Sequence, residues 1–196
     1  MKFGIAMAGL EERFQSFLID EFKESDCYLE IGVAYGGTFS GVHHLVCRFP
    51  EYTMIGVDPN KRYLDPKLDT ESWAWRQPEE PPDVGVNFYP YRFEAVADSI
   101  SPRSVKIALI DACHGKACVI NHFSLVEPKI VDGGFVLFHD FGTEDSGPYQ
   151  DHCDSLCNVV GACKELGLIG NHRPHWKFQE AWLGKEADMG IFQKTV

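Results

Sequence analysis

YLEIGVAYGGTFSGVHHL, residues 28–45, decides how the rest of the chain is read. Tyr28, Leu29, Ile31 and Val33 make an apolar, strand-forming run. Gly32, Gly36 and Gly37 then remove side chains where the chain must turn sharply and where a ligand could press against the backbone. Thr38 or Ser40 is placed to cap a following helix, which would aim free N–H groups and the positive helix end at the turn. Strand, glycine turn and helix in this order predict a binding site for an anionic, nucleotide-like group.

Two ligands compete for that turn. Gly32-x-Ala34-x-x-Gly37 matches a dinucleotide fingerprint, and Asp58 lies 21 residues beyond Gly37, where a ribose-binding acid belongs. Glu30 argues the other way. It sits inside the strand, two residues before the first glycine, where a carboxylate would oppose a pyrophosphate and suit a ligand with a cationic amino-acid end. Glu30-x-Gly32-x-x-x-Gly36-Gly37 resembles the first motif of the class I S-adenosylmethionine (SAM) methyltransferases. MIGVDPN, residues 54–60, resembles their second motif, a strand that ends in an acid for the ribose hydroxyls. The resemblance implies SAM as cofactor, held by Glu30, Gly32, Tyr35, Gly36, Gly37 and Asp58. An NAD-linked oxidoreductase is the alternative, and a SAM-binding module without transferase activity is a third reading.

Composition narrows the field. A chain of 196 residues, 44% hydrophobic, fits one domain spanning 1–196 with a full core. No run of eighteen apolar residues exists, and the N-terminal apolar stretch is short and followed by acids, which argues against a signal peptide. The seven cysteines contain no Cys-x-x-Cys pair, and Cys27, Cys47 and Cys118 lie in apolar runs; they read as core residues of a cytoplasmic protein. A net charge of -11 with no basic stripe weighs against nucleic acid and for a small-molecule acceptor. Cys153, Cys157, Cys163, His172 and His175 match no standard zinc spacing.

Strands and helices alternate along the chain. An amphipathic helix at 9–24 leads to a strand at 27–33, a helix at 37–48 and a strand at 53–58. A third strand is expected at 86–91, with FEAVADSI opening a short helix after it. VKIALIDA, 105–112, is a near-continuous apolar run, as expected of a parallel strand covered on both faces. A helix at 116–127 should end at Pro128, Asp132-Gly133-Gly134 should turn, and FVLFHD should form the fifth strand. A helix at about 152–166 stops at Gly167, and the C-terminal FQEAWLG and ADMGIFQK alternate as a hairpin. This order predicts an α/β fold: a Rossmann-like, doubly wound, mostly parallel sheet of about seven strands with a C-terminal antiparallel hairpin. Residues 59–85 carry prolines, Trp73 and Trp75 without periodicity, and read as a flap or a subunit interface.

An open parallel sheet leaves its crevice at the carboxyl ends of the strands, and three of those ends carry acids: Asp58, Asp111 and Asp140. Asp111, His139 and Asp140 are expected around one point, where two carboxylates and an imidazole could hold Mg²⁺ or Mn²⁺. His114, three residues after Asp111, is the first choice of general base, because imidazole titrates near neutral pH. His139 is the second choice and Lys116 the third. Asp111 and Asp140 could instead only cap helices, and His43, His44 and His122 read as packing or surface residues.

IALIDACHGKACVINHFSLVEPKIVDGGFVLFHDF, residues 107–141, resembles the Asp-x-x-His, helix, Gly-Gly, strand, His-Asp signature of a small-molecule O-methyltransferase family. That family is related to antibiotic sugar O-methyltransferases and cephalosporin-hydroxylase-like proteins. The resemblance implies O-methylation of a small hydroxylated metabolite, with a metal on the first Asp and the pair after the next strand. Within it, Phe93 and Glu94 fall where adenine is contacted, and Asp111 lies beside the cofactor. His139 replaces a common acid, and Asn121 stands where relatives carry Asp. Relatives often form homo-oligomers.

Overall fold

The computed structural model describes residues 10–34, 36–59, 85–142, 158–170, 172–183 and 188–196. Tyr35, nearly all of the 59–85 segment and the first part of the 152–166 helix lie outside the described residues.

Helix α1 (Glu11–Glu21) places Phe14 and Leu18, four residues apart, on one buried face. Burying each is worth about 1.5–3 kcal/mol. Strand β1 (Cys27–Ile31) is covered on both sides, so all five of its residues are buried. Helix α2 (Gly37–Val46), β2 (Thr53–Val57), β3 (Val86–Tyr89) and the short α3 (Phe93–Val96) follow. Strand β4 (Val105–Ile110), α4 (Lys116–Val126), β5 (Ile130–His139), α5 (Val159–Glu165), β6 (Trp176–Leu183) and β7 (Asp188–Lys194) complete the order.

The seven strands form one sheet in the order β3-β2-β1-β4-β5-β7-β6. The first five are parallel, β7 runs antiparallel to β5, and β6 closes the edge beside β7. Because side chains alternate across a strand, two cores result. Leu29, Ile31, Val57 and Phe138 pack on one face against Phe123 and Val119 of α4. Tyr28, Met54 and Leu137 pack on the other against α1 and α2.

Two local expectations change. The helix after the glycine turn is not capped by Thr38 or Ser40. Its N-cap is Gly36, with φ of 77°, and no side-chain bond is made there. A left-handed cap favours glycine, and the geometry leaves Thr38 inside the helix and buried. Asp132-Gly133-Gly134 does not turn before the strand; it lies within β5, where the register against β4 shifts between Val105 and Ile107. Between these pairs β4 advances from Val105 to Ile107 while β5 advances from Ile130 to Phe135, so the extra β5 residues are absorbed as an irregularity while pairing continues on both sides.

Among the described residues no helix is long and apolar enough to cross a membrane. Cys27 and Cys163 are buried, but Cys47 is exposed, because it follows the last turn of α2 on its outer side. Cys113 is disulfide-bonded, unlike Cys27, Cys47, Cys118 and Cys163, which are free.

Candidate active site

Register alone lines up the functional row. Ile31 pairs with Val57 and with Ile110, and Ile110 pairs with Phe138. The next residue of each strand is therefore at one level: Gly32, Asp58, Asp111 and His139. Backbone hydrogen bonds from Gly32 to Val57 and from Asp111 to Ile31 carry the alignment past the strand ends. The pairing that builds the sheet thus gathers the acids.

Gly32 has φ of 93°, and a Cβ there would lie 1.9 Å from the Asp111 carbonyl oxygen. The glycine turn and the β4 loop are in contact because this position has no side chain. Ala34 takes a left-handed conformation, φ 47°, and donates its backbone N–H to Asp58 Oδ2 at 2.7 Å. Asp58 is buried.

Glu30 is buried within β1 and accepts a hydrogen bond from the Tyr28 hydroxyl at 2.8 Å. Burial pushes its carboxyl well above the ordinary carboxylate range, the Tyr28 bond opposes this, and the charges of Asp111 and Asp58 add to it. Three acids on adjacent strands thus make a crevice that favours a ligand with positive charge. Tyr28 is the partner that sequence reasoning missed. Its position two residues before Glu30 puts both on one face of the strand, which was the available signal.

Asp111, His114, His139 and Asp140 meet at the ends of β4 and β5. His139 Nδ1 lies 2.9 Å from Asp111 Oδ1 and 3.2 Å from Asp140 Oδ1. His114 Nε2 lies 3.4 Å from Asp111 Oδ1, and its Nδ1 lies 3.2 Å from Asp140 Oδ2. Burial alone would push the His139 imidazole down, but Asp111 and Asp140 outweigh it and raise it to about 11. Burial would raise the Asp111 carboxyl, yet His139 first, and His114 with it, hold it below its ordinary value. One ligand atom from each of Asp111, His114 and His139 fits within 4.8 Å of the others. Asp140 has φ of 53°, a conformation that Asp tolerates better than most residues.

Other expected residues are placed differently. Phe93 is buried and packs edge-on against His122. Glu94 is half-exposed, accepts from Asn121 Nδ2 at 3.0 Å and lies 3.6 Å from His122 Nε2. Asn121 is thereby tied to Glu94, away from the Asp111 cluster. Lys116 pairs with Glu165 at 2.5 Å, which occupies the third-choice base.

The 3-2-1-4-5-7-6 sheet, with acids at the ends of its first, second and fourth strands, defines a Rossmann-like SAM-dependent methyltransferase. The profile of a family described as "Methyltransferase domain" matches residues 29–141, and the chain belongs to that family. Solved structures share the fold at low identity. TomG of Streptomyces achromogenes, an O-methyltransferase of tomaymycin synthesis in complex with SAM, is 12% identical, over 98% of this chain and 89% of that one, with a TM-score of 0.63. An O-methyltransferase from Bacillus cereus in complex with SAH is 11% identical, over 95% and 80%, with a TM-score of 0.63. MycE of the mycinamycin biosynthetic pathway, in complex with Mg and SAH, is 16% identical, over 94% of this chain and 49% of that one, with a TM-score of 0.58. No curated protein sequence matches the chain.

Proposed function

We propose that this methyltransferase methylates a hydroxyl oxygen of a small metabolite, with a divalent cation held at the Asp111 cluster. The observation that carries the reading is the convergence of Asp111, His114, His139 and Asp140 beside the Glu30–Asp58 crevice. The neighbours TomG and the Bacillus enzyme are O-methyltransferases, and MycE is a complex with Mg and SAH, which supports oxygen as acceptor and a divalent cation as a component. The net charge of -11 supports a small molecule over nucleic acid.

SAM supplies an electrophilic methyl on a sulfonium, and a divalent ion supplies positive charge that eases ionisation of a hydroxyl. The chain's own work is to bind, align and compensate charge. Glu30, fixed by Tyr28, faces the cationic amino-acid end of the donor, and Asp58, fixed by Ala34, faces the ribose. The left-handed Gly36 starts α2 without a side-chain cap, which leaves the first N–H groups of that helix to the ligand. Asp111 stands between the two halves of the site. It joins the donor crevice through Gly32 and the imidazoles through His139. A side chain of the cluster that does not hold the cation takes up the proton released by the acceptor.

SAH formation is measured with a panel of phenols, sugars and polyketide alcohols. Asp111→Asn should reduce turnover at least a hundredfold while SAH binding survives. Unchanged turnover in that variant would place the chemistry elsewhere.

A further inference from the structure

We propose that the cation site selects a nitrogen-preferring transition ion, Fe²⁺, Co²⁺ or Zn²⁺, over Mg²⁺, with His114 as a ligand alongside Asp111 and His139. This rests on the reading that a cation is held here, and it specifies which chemical class of cation.

The first argument is distance. Asp111 Oδ1 is the common vertex, 2.9 Å from His139 Nδ1 and 3.4 Å from His114 Nε2. Adjacent ligands around one ion, with bonds of roughly 2.0–2.1 Å, stand about 3.0–3.4 Å apart. The two observed edges fall close to that range.

The second argument is His114 Nε2 itself. It is buried and has no hydrogen-bond partner among the described residues. At 3.4 Å the Asp111 oxygen is a weak partner at best, and a buried polar atom left so is costly. An ion bound beside it would satisfy that nitrogen.

The third argument is the other nitrogen of the same ring. His114 Nδ1 faces Asp140 Oδ2 at 3.2 Å. A ligating histidine characteristically turns its second ring N–H to a carboxylate, which fixes the tautomer and makes the ligating nitrogen a better donor. Asp140 thereby becomes the residue that orients His114, and His114 takes the place in the ligand set that the sequence reading assigned to Asp140.

Ligand chemistry then decides the ion. Two of the three protein ligands are imidazole nitrogens. Mg²⁺ demands hard oxygen donors and keeps much of its water, whereas imidazole suits Fe, Ni, Cu and Zn. For a mixed nitrogen and oxygen site, affinity rises from Mn²⁺ through Fe²⁺ and Co²⁺.

The full chain, stripped with a chelator, is titrated calorimetrically with Mg²⁺, Co²⁺ and Zn²⁺ separately, and the visible spectrum of the Co²⁺ form is recorded. Co²⁺ and Zn²⁺ should bind at least a hundredfold more tightly than Mg²⁺. His114→Gln should shrink that ratio at least tenfold, and His114→Asp, which restores an oxygen ligand, should shift the preference toward Mg²⁺. Asp140→Asn should keep the preference. Equal affinities for Mg²⁺ and Co²⁺, or a ratio untouched in both His114 variants, would overturn the proposal while leaving a cation site in place. No binding of any of the three ions would overturn the cation reading with it, and SAH binding in the same sample would show that the donor site stands.

Discussion

The backbone N–H of Ala34 donates to the Asp58 carboxylate over 2.7 Å, from a residue held at φ 47°. Alanine occupies a left-handed position that glycine fills more easily, at a cost of about 1–2 kcal/mol. Part of that cost is offset because alanine narrows the unfolded ensemble. Ala34→Gly should therefore raise stability by about 0.5–1 kcal/mol and preserve SAH binding. The check is the urea midpoint at unchanged slope. A lower midpoint would mean that the position is not strained.

Tyr28→Phe removes the hydroxyl that hydrogen-bonds Glu30 in a fully buried setting. The carboxyl loses its fixed orientation, so the Kd for SAH should rise about tenfold, or about 1.4 kcal/mol. Stability should fall by about 1–3 kcal/mol, the usual cost of a buried group left without its partner. An unchanged Kd would separate Glu30 from donor binding.

Asp140 combines a left-handed backbone with contacts to both imidazoles. Asparagine adopts that backbone at lower cost than alanine, so Asp140→Ala should be less stable than Asp140→Asn by about 1–2 kcal/mol. Methyl transfer should fall at least tenfold in both, because both remove the charge. Thermal melts and initial rates test the two halves separately. Equal stability of the variants would remove the backbone argument.

Glu127 accepts from Arg173 Nε and from Trp176 Nε1, each at 2.8 Å. Burial would raise its carboxyl, but the bonds from Arg173 and Trp176 and the charges of Arg173 and Lys194 hold it below the ordinary value. A depressed folded value contributes stability above the unfolded carboxyl range, and that stability is lost as pH falls through the folded value. The wild type should therefore exceed Glu127→Gln in stability at neutral pH, and the gap should begin to shrink below about pH 4.3 and close as pH falls through the lower folded value. A gap that stays constant down to pH 3 would contradict this.

How much of this was legible follows from the kind of signal each residue carries. The strands were, because buried parallel strands are apolar runs and VKIALI is one. The row of polar residues was, because Asp58, Asp111 and His139 close those runs and register then aligns them. Side-chain direction beyond the strand ends was not. Asp111-x-x-His114 says that an imidazole is near, but not that its two nitrogens face two different carboxylates. The position of Phe93 after the third strand was legible, but its edge-on packing against His122 was not, because the partner lies far along the chain. The cap at Gly36 was hidden as well, since hydroxyl residues stood nearby and only the backbone angle distinguishes the positions.

The close approach of Gly32 to the Asp111 carbonyl joins the two regions that the proposed function assigns to donor and cation. Neither loop can shift there without pressing on the other, since no side chain cushions the gap. Under the proposed function the two regions would then be linked thermodynamically: whatever factor a cation adds to SAH affinity, SAH must add to cation affinity, in either order of mixing.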